Sequence, residues 1–256
     1  MHSPILFSTH HTQPMILGHR GARAVHLENS VSGFVYACNL QGIAGVEFDV
    51  QLTLDNELAV FHDDNLVRLT GDQSELGEMS LVRLQTHPIH HQHRWHMIPS
   101  LREIAPYLNG YRYIELEIKT TIKTDYHRLV HAITKALPHL RHLPITLTSF
   151  DVRLLERLQH LDTPKGLLVE TDSTCTHTIA PHDRRHVINT AQRLGCTRIG
   201  WHYPLIDETT VKLCHRYNIA ISAWTVNDID TAKYLASLGV DVIISDNPQS
   251  LINAIL

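Results

Sequence analysis

The sequence predicts an α/β protein: a (β/α)8 TIM barrel with a small insertion after the second strand. Three observations carry this reading: eight short β-branched runs, stretches of helical period between them, and no Gly/Ser-rich linker to mark off a second domain. The 256 residues are therefore read as one domain, 1–256, with the insertion at roughly 57–99.

The first run is MILG (15–18), followed by a helical stretch at 30–39 that Ser30 can cap. GVEFDV (45–50) is the second strand. ELAVFHD (57–63) reads as an added strand, and 65–99 has weak period and reads as excursion and loop. A helix at 100–108 leads to YIELEI (113–118), and a helix at 126–137 leads to ITLTSF (145–150). Asp151 can cap the helix at 151–161, before GLLVE (166–170) and a helix at 182–194 that Gly195 stops. TRIGW (197–201) precedes a helix at 207–217. IAISAWT (219–225) precedes one at 228–238, capped by Asp228 and stopped by Gly239. VDVIIS (240–245) and a helix at 248–255 complete the eighth unit. An open doubly wound sheet is the rival, but its first turn would carry G-x-G-x-x-G, and here it reads GHRGARA.

Composition narrows the function. A 43% hydrophobic share fills a sizeable core, and 22 basic against 26 acidic residues is too balanced for a chain that lives on nucleic acid. No run reaches the ~18 apolar residues of a membrane helix, so no stable membrane insertion is expected. The N-terminus lacks the basic region and apolar core of a signal peptide, and a cytoplasmic location is expected. Cys38, Cys175, Cys196 and Cys214 stand singly, as small apolar residues and not as bridges or zinc ligands. The outlying feature is 21 histidines, whose full protonation would swing the formal charge from −4 to +17.

An ionisable residue in a strand buried on both faces is costly unless paired or bound to a metal. Glu47 and Asp49 lie two apart, on one face of the second strand, while Val46, Phe48 and Val50 take the other. The third strand repeats the pattern with Glu115, Glu117 and Lys119. Carboxylates converging near the mouth of a barrel repel one another unless a cation is shared, and oxygen ligands select Mg2+ or Ca2+ over zinc. His19 ends the first strand and His62 follows AVF; imidazoles there suit proton transfer near neutral pH. Arg20 offers a fork for a phosphate and Lys119 a point charge. Together these groups point to hydrolysis of a phosphodiester.

The ordered set H-R-G (19–21), E-N (28–29), E-x-D (47–49), H-D (62–63) and T-G (70–71) resembles the opening signature of glycerophosphodiester phosphodiesterases. The likeness continues through IPSL (98–101), ELEIK (115–119), SFD (149–151), AWTVN (223–227) and ISDNP (244–248), so it spans nearly the whole chain. The resemblance implies one divalent cation, Mg2+ or Ca2+, on Glu47, Asp49 and Glu117. It implies acid–base catalysis by His19 and His62, with Arg20 and Lys119 on the phosphate. Trp224 falls beside the site, packing on the glycerol end, and Glu28 is carried as a substrate-side candidate whose bland alternative is ordering of the first loop. The implied reaction converts soluble glycerophosphodiesters, such as glycerophosphocholine or glycerophosphoethanolamine, to sn-glycerol 3-phosphate and an alcohol. It links the chain to lipid and glycerol metabolism. Attack by a neighbouring glycerol hydroxyl through a cyclic phosphate and direct attack by water at the metal both remain open. Two positions depart from the family pattern: Leu27 stands where proline is usual, and Glu115 where an uncharged polar residue is usual.

The bland readings make Ser149 a mouth residue, Asp151 an N-cap and Asp246 a strand-to-helix turn. The run His87, His90, His91, His93 and His96 contains Pro88 and no acid, and reads as a mobile, mostly exposed loop and not a structural zinc site. Rival functions are lysophospholipase D-type cleavage, which would require an apolar path at the mouth, a non-catalytic binder of phosphoryl ligands, and a histidine-rich metal buffer. The partner expected is a small-molecule substrate, with the protein a monomer or homodimer.

Overall fold

In a computed structural model describing residues 13–171, 177–181 and 183–256, strand β1 (Met15–His19) pairs in parallel with both β2 (Gly45–Leu52) and β11 (Val242–Ser245). That double pairing closes the sheet. The circuit runs from β11 through β10 (Ala220–Trp224), β9 (Arg198–His202), β8 (Lys165–Val169), β7 (Ile145–Ser149) and β6 (Tyr113–Ile118) back to β2, all parallel. The result is the predicted eight-stranded barrel.

Helices α1 (Val31–Cys38), α5 (Tyr126–Leu140), α6 (Val152–Arg157), α7 (Arg184–Arg193), α8 (Glu208–Arg216), α9 (Ile229–Leu238) and α10 (Pro248–Ile255) surround it. The side chains of Ser30, Asp125, Asp151, Asp183, Asp207, Asp228 and Asn247 each accept a backbone N–H at a helix start, satisfying donors that the first turn would otherwise leave open.

Strand alternation divides the core. Val46, Phe48, Val50, Ile114, Leu116 and Ile118 pack outward with Phe34 and Ala37 of α1 and Leu129 and Ile133 of α5. On the other face Leu17, Tyr113, Val242 and Ile244 fill the base of the barrel. The ionisable residues two and four positions further along the same strands are thereby lifted toward the mouth.

The insertion differs from the expected loop. β3 (Leu58–Ala59) is antiparallel to the end of β2 but stops before His62, because the Val60 N–H turns to the Pro99 carbonyl. Beyond it come α2 (Val67–Thr70), α3 (Leu81–Gln85) and a hairpin of β4 (Ile89–His91) and β5 (Arg94–His96). They enclose a small core of Phe61, Leu66, Leu76, Met79, Leu84, Ile89 and Ile98. Pieces of three to five residues are too short for a hydrophobic period to register, which is why they read as loop. Four histidines of the run thus lie in a hairpin, with His90 and His93 exposed and His91 and His96 half-buried, while His87 precedes it just past the end of α3.

Four helices also depart from expectation, among them α6, which stops at Arg157 and not at 161. The segment at 100–108 is a four-residue helix, α4 (Leu101–Ile104), continued as a 3-10 turn containing Pro106. α5 runs through Pro138 to Leu140, whose burial in the core supports the extra turn. α7 begins at Arg184; His182, like Cys175, lies outside the described residues. Cys38, Cys196 and Cys214 are free thiols, the last two buried.

Candidate active site

The first turn after β1 is built by close approach. A side chain on Gly18 would run into the Gly21 carbonyl, so glycine lets the chain double back, and Arg20 and Gly21 both take left-handed φ, 50° and 96°. The bend delivers the Arg20 N–H to Glu47 Oε2 at 3.1 Å. Asn29, also left-handed at φ 53°, donates from Nδ2 to Asp49 Oδ2 at 3.0 Å and accepts the Asp49 N–H at 3.3 Å. Such strain in non-glycine residues is held where surrounding contacts over-determine it.

Register assembles the acids. β2 and β6 pair Glu47 with Glu115 and Asp49 with Glu117. Glu47, Asp49 and Glu117 bring carboxylate oxygens within 4.8 Å of one another, the only such cluster of acidic, histidine or cysteine ligands among the described residues. Glu115 lies one layer deeper and pairs with Arg198 at 3.1 Å. Burial, together with Asp49 and Glu117, pushes the Glu47 carboxyl well above its ordinary range. Burial acts the same way on Asp49, but Arg20, His62 and Lys119 overcome it and hold that carboxyl below its usual range.

The positive side of the site is equally ordered. Arg20 Nη1 donates to Glu28 at 3.0 Å and its Nε lies 3.3 Å from Asp49. Lys119 Nζ lies 2.9 Å from Glu117 and 4.0 Å from Asp49; burial works against its charge, and Glu117 and Asp49 hold the ammonium above its normal pKa.

Each candidate histidine is held by an aspartate. His19 Nδ1 meets Asp246 Oδ1 at 2.6 Å, and His62 Nδ1 meets Asp63 Oδ1 at 2.7 Å. A carboxylate on Nδ1 fixes the proton there and leaves Nε2 for the site. His19 Nε2 lies 3.7 Å from Glu47 Oε2, and His62 Nε2 lies 3.2 Å from Lys119 Nζ. Burial lowers the His19 pKa, more than the Asp246 bond raises it.

Trp224 ends β10, stacked on His202 at 5.3 Å and edge-on to Phe150 at 5.4 Å. Its indole N–H is buried with no hydrogen-bond partner among the described residues. A cavity of about 260 Å³ opens beside His62, Glu117 and Lys119, with Ser149, Phe150 and Glu170 on its wall.

The structure brings His19, Arg20, Glu28, Glu47, Asp49, His62, Glu117 and Lys119 into one network. Glu28 sits within it as a buried acceptor for Arg20 and Arg68. Several members were not singled out from sequence, among them Arg68, which bridges Asp63 and Glu28. Asp246 read as a turn, although ISDNP signalled it; Asp63 was visible in the H-D pair; Asn29 stood in the E-N pair. Gln51 had a periodic signal, two after Asp49 on the same face, and its Nε2 donates to the carbonyls of Phe61, His62 and Asp63 at 3.2, 3.0 and 2.7 Å.

The three carboxylates suit a hard divalent ion. Their formal charge exceeds that of Arg20 and Lys119 together, and Asp49 Oδ1 is buried without a hydrogen-bond partner among the described residues.

Residues 19–250 match the family described as the glycerophosphoryl diester phosphodiesterase family. A glycerophosphodiester phosphodiesterase of Caldanaerobacter subterraneus is 25% identical over 250 residues, covering 94% of this chain and 97% of that protein. Among solved structures, an Oleispira antarctica phosphodiesterase in complex with the product sn-glycerol-3-phosphate aligns with a TM-score of 0.78 and 24% identity, over 94% of this chain and 96% of that one. A Thermotoga maritima glycerophosphodiester phosphodiesterase aligns with a TM-score of 0.77 and 23% identity, over 95% and 99%.

Proposed function

The chain belongs to the glycerophosphoryl diester phosphodiesterase family and is a phosphoric diester hydrolase, and from that premise we propose its reaction in detail. The substrates are soluble glycerophosphodiesters, such as glycerophosphocholine and glycerophosphoethanolamine, cleaved to sn-glycerol 3-phosphate and an alcohol. The observation that carries the reading is the cluster of Glu47, Asp49 and Glu117 flanked by two aspartate-held imidazoles.

Glu47, Asp49 and Glu117 would hold one divalent cation, Mg2+ or Ca2+, which when bound supplies positive charge toward the phosphoryl oxygens. Arg20 presents its guanidinium and Lys119 its ammonium to the same phosphate, offsetting charge that builds as the diester is attacked. His19 is the base: burial favours its neutral imidazole and Asp246 keeps the proton on Nδ1, so Nε2 accepts a proton from the attacking group. That group is either water directly or the neighbouring glycerol hydroxyl, in which case water then opens the cyclic phosphate to sn-glycerol 3-phosphate with the two histidines exchanging roles. His62, beside the cavity, is the acid that returns a proton to the leaving alcohol, its ring oriented by Asp63. Trp224 closes the apolar side, where the glycerol carbons pack.

Incubating glycerophosphocholine with the wild-type protein and with Glu47→Gln, with Mg2+, Ca2+ or chelator, tests this. Glycerol 3-phosphate and choline should form with the wild type and a cation, and fall to background in the variant or with chelator. Absence of product from a panel of glycerophosphodiesters under every ion would end the proposal. Phosphocholine and glycerol as products would place the cleaved bond on the other side of phosphorus. Among the described residues no helix is long and apolar enough to cross a membrane. The cytoplasm is the compartment proposed for the reaction.

A further inference from the structure

Arg68 on α2, inside the insertion, touches neither the acid cluster nor an imidazole, yet it grips both residues that hold the catalytic groups. Its Nε donates to Asp63 Oδ2 at 2.6 Å and its Nη2 to Asp63 Oδ1 at 3.2 Å. Its Nη1 and Nη2 donate to the two oxygens of Glu28 at 2.9 and 2.6 Å. One guanidinium therefore engages four carboxylate oxygens. Asp63 passes that constraint to His62 Nδ1, and Glu28 passes it to Arg20 Nη1.

Resting on the hydrolase reading of this site, we infer that Arg68 is a positioning residue that holds the proton donor His62 and the phosphate-binding Arg20 in register across the mouth. The β1–α1 loop and the segment after β3 share no strand pairing at this point, so side chains must set their separation. A guanidinium is suited to this because its planar fork offers paired donors on two edges; an ammonium cannot satisfy two carboxylates at both oxygens. The Arg68 side chain is 45% exposed whereas that of Glu28 is 7% exposed, so one end of the clamp is anchored in the protein and the other is open to solvent. The insertion thereby gains a role in catalysis, since α2 carries this fork to the mouth.

The test compares wild type, Arg68→Lys and Arg68→Ala on two diesters. Glycerophosphocholine has a poor leaving group that requires a well-placed acid; the 4-nitrophenyl diester of glycerol 3-phosphate does not. Arg68→Ala should lose about 100-fold in kcat on the first, at least tenfold more than on the second because only the first needs a placed acid, while the loosened Arg20 should raise KM by a similar factor on both. Arg68→Lys should behave in the same way, and added guanidinium should restore Arg68→Ala at least tenfold. Equal losses on both diesters, a loss under about threefold, or no recovery with guanidinium would each overturn the inference.

A readout independent of turnover separates this from the hydrolase reading. The Nδ1–H proton signal of His62, identified by its absence in His62→Asn, should be shifted downfield and protected from exchange in the wild type, where Asp63 accepts it, and should lose that shift and protection in Arg68→Ala. If the wild type cleaves neither diester, the hydrolase reading falls and this signal decides about Arg68. An unchanged Nδ1–H signal in Arg68→Ala and Arg68→Lys would refute the clamp.

Discussion

Glu115 and Arg198 meet at 3.1 Å inside the barrel, each 1% exposed, directly below the acid cluster. Arg198 also lies over the Tyr113 ring, 4.3 Å from its centroid. Burial still holds the Glu115 carboxyl above its ordinary range, with Arg198 countering in part. Removing one partner leaves the other charge in the interior, so Arg198→Met should cost about 3–5 kcal/mol in urea denaturation. The double variant Glu115→Gln, Arg198→Met should recover most of that loss. A single variant as stable as wild type would show that the pair carries no such weight.

Cation binding should depend on pH through Glu47. Its carboxyl is held well above the usual range by burial and by Asp49 and Glu117, so a proton competes with an ion for that position, increasingly as pH falls. Affinity for Mg2+ or Ca2+ should weaken as pH falls and strengthen as it rises, with proton release on binding. Calorimetry in buffers of different ionisation enthalpy at about pH 5.5 and about pH 8 measures both. No proton release at the lower pH would contradict the assignment.

The Asp246 bond to His19 should matter to the chemical step more than to binding. Asp246→Asn keeps the shape but lets the Nδ1 proton move, and kcat on glycerophosphocholine should fall by about 10²-fold with little change in KM. Steady-state kinetics decides it, with loss confined to KM as the contrary result.

Trp224→Ala should act in the opposite sense. The ring is stacked on His202 and faces Phe150, so its loss widens the apolar side of the mouth. KM should rise about tenfold with kcat within about threefold. A fall in kcat alone would remove the glycerol-packing role.

Away from the site, His215 Nε2 bonds Asp241 Oδ2 at 3.0 Å, and that bond raises the imidazole pKa above 6.5. The folded state then binds the proton more tightly than the unfolded chain. The pair's stabilisation is fully present below about pH 6.5 and is lost as pH rises through the elevated folded value. The stability difference between wild type and His215→Gln should therefore be larger at about pH 5.5 than at about pH 9. An equal difference at both would rule the linkage out.

The barrel was legible because each strand buries a β-branched run, and a buried strand carrying acids two apart announces a same-face pair. That logic located Glu47, Asp49, Glu115 and Glu117 without any knowledge of how the strands neighbour one another, and the family resemblance left Glu115 out of the ligand set. The small elements of the insertion were not legible. Their stability comes from a shared core of Phe61, Leu66, Leu84 and Ile98, and not from any periodicity within one piece.

By itself, then, the sequence determined which residues bring charge to the mouth of the barrel, because strand alternation is a local property read two residues at a time. It also set apart His19 and His62 from the other histidines of the 21. Only the tertiary structure decided which group holds which. Asp246 reaches His19 across 227 residues, Arg198 reaches Glu115 across 83, and Arg68 reaches Glu28 across 40. Those partnerships arise when β11 closes on β1, when β9 comes to face β6 across the barrel interior, and when α2 folds back over the first loop. No local pattern encodes such contacts, because they depend on where the closed sheet places each strand end.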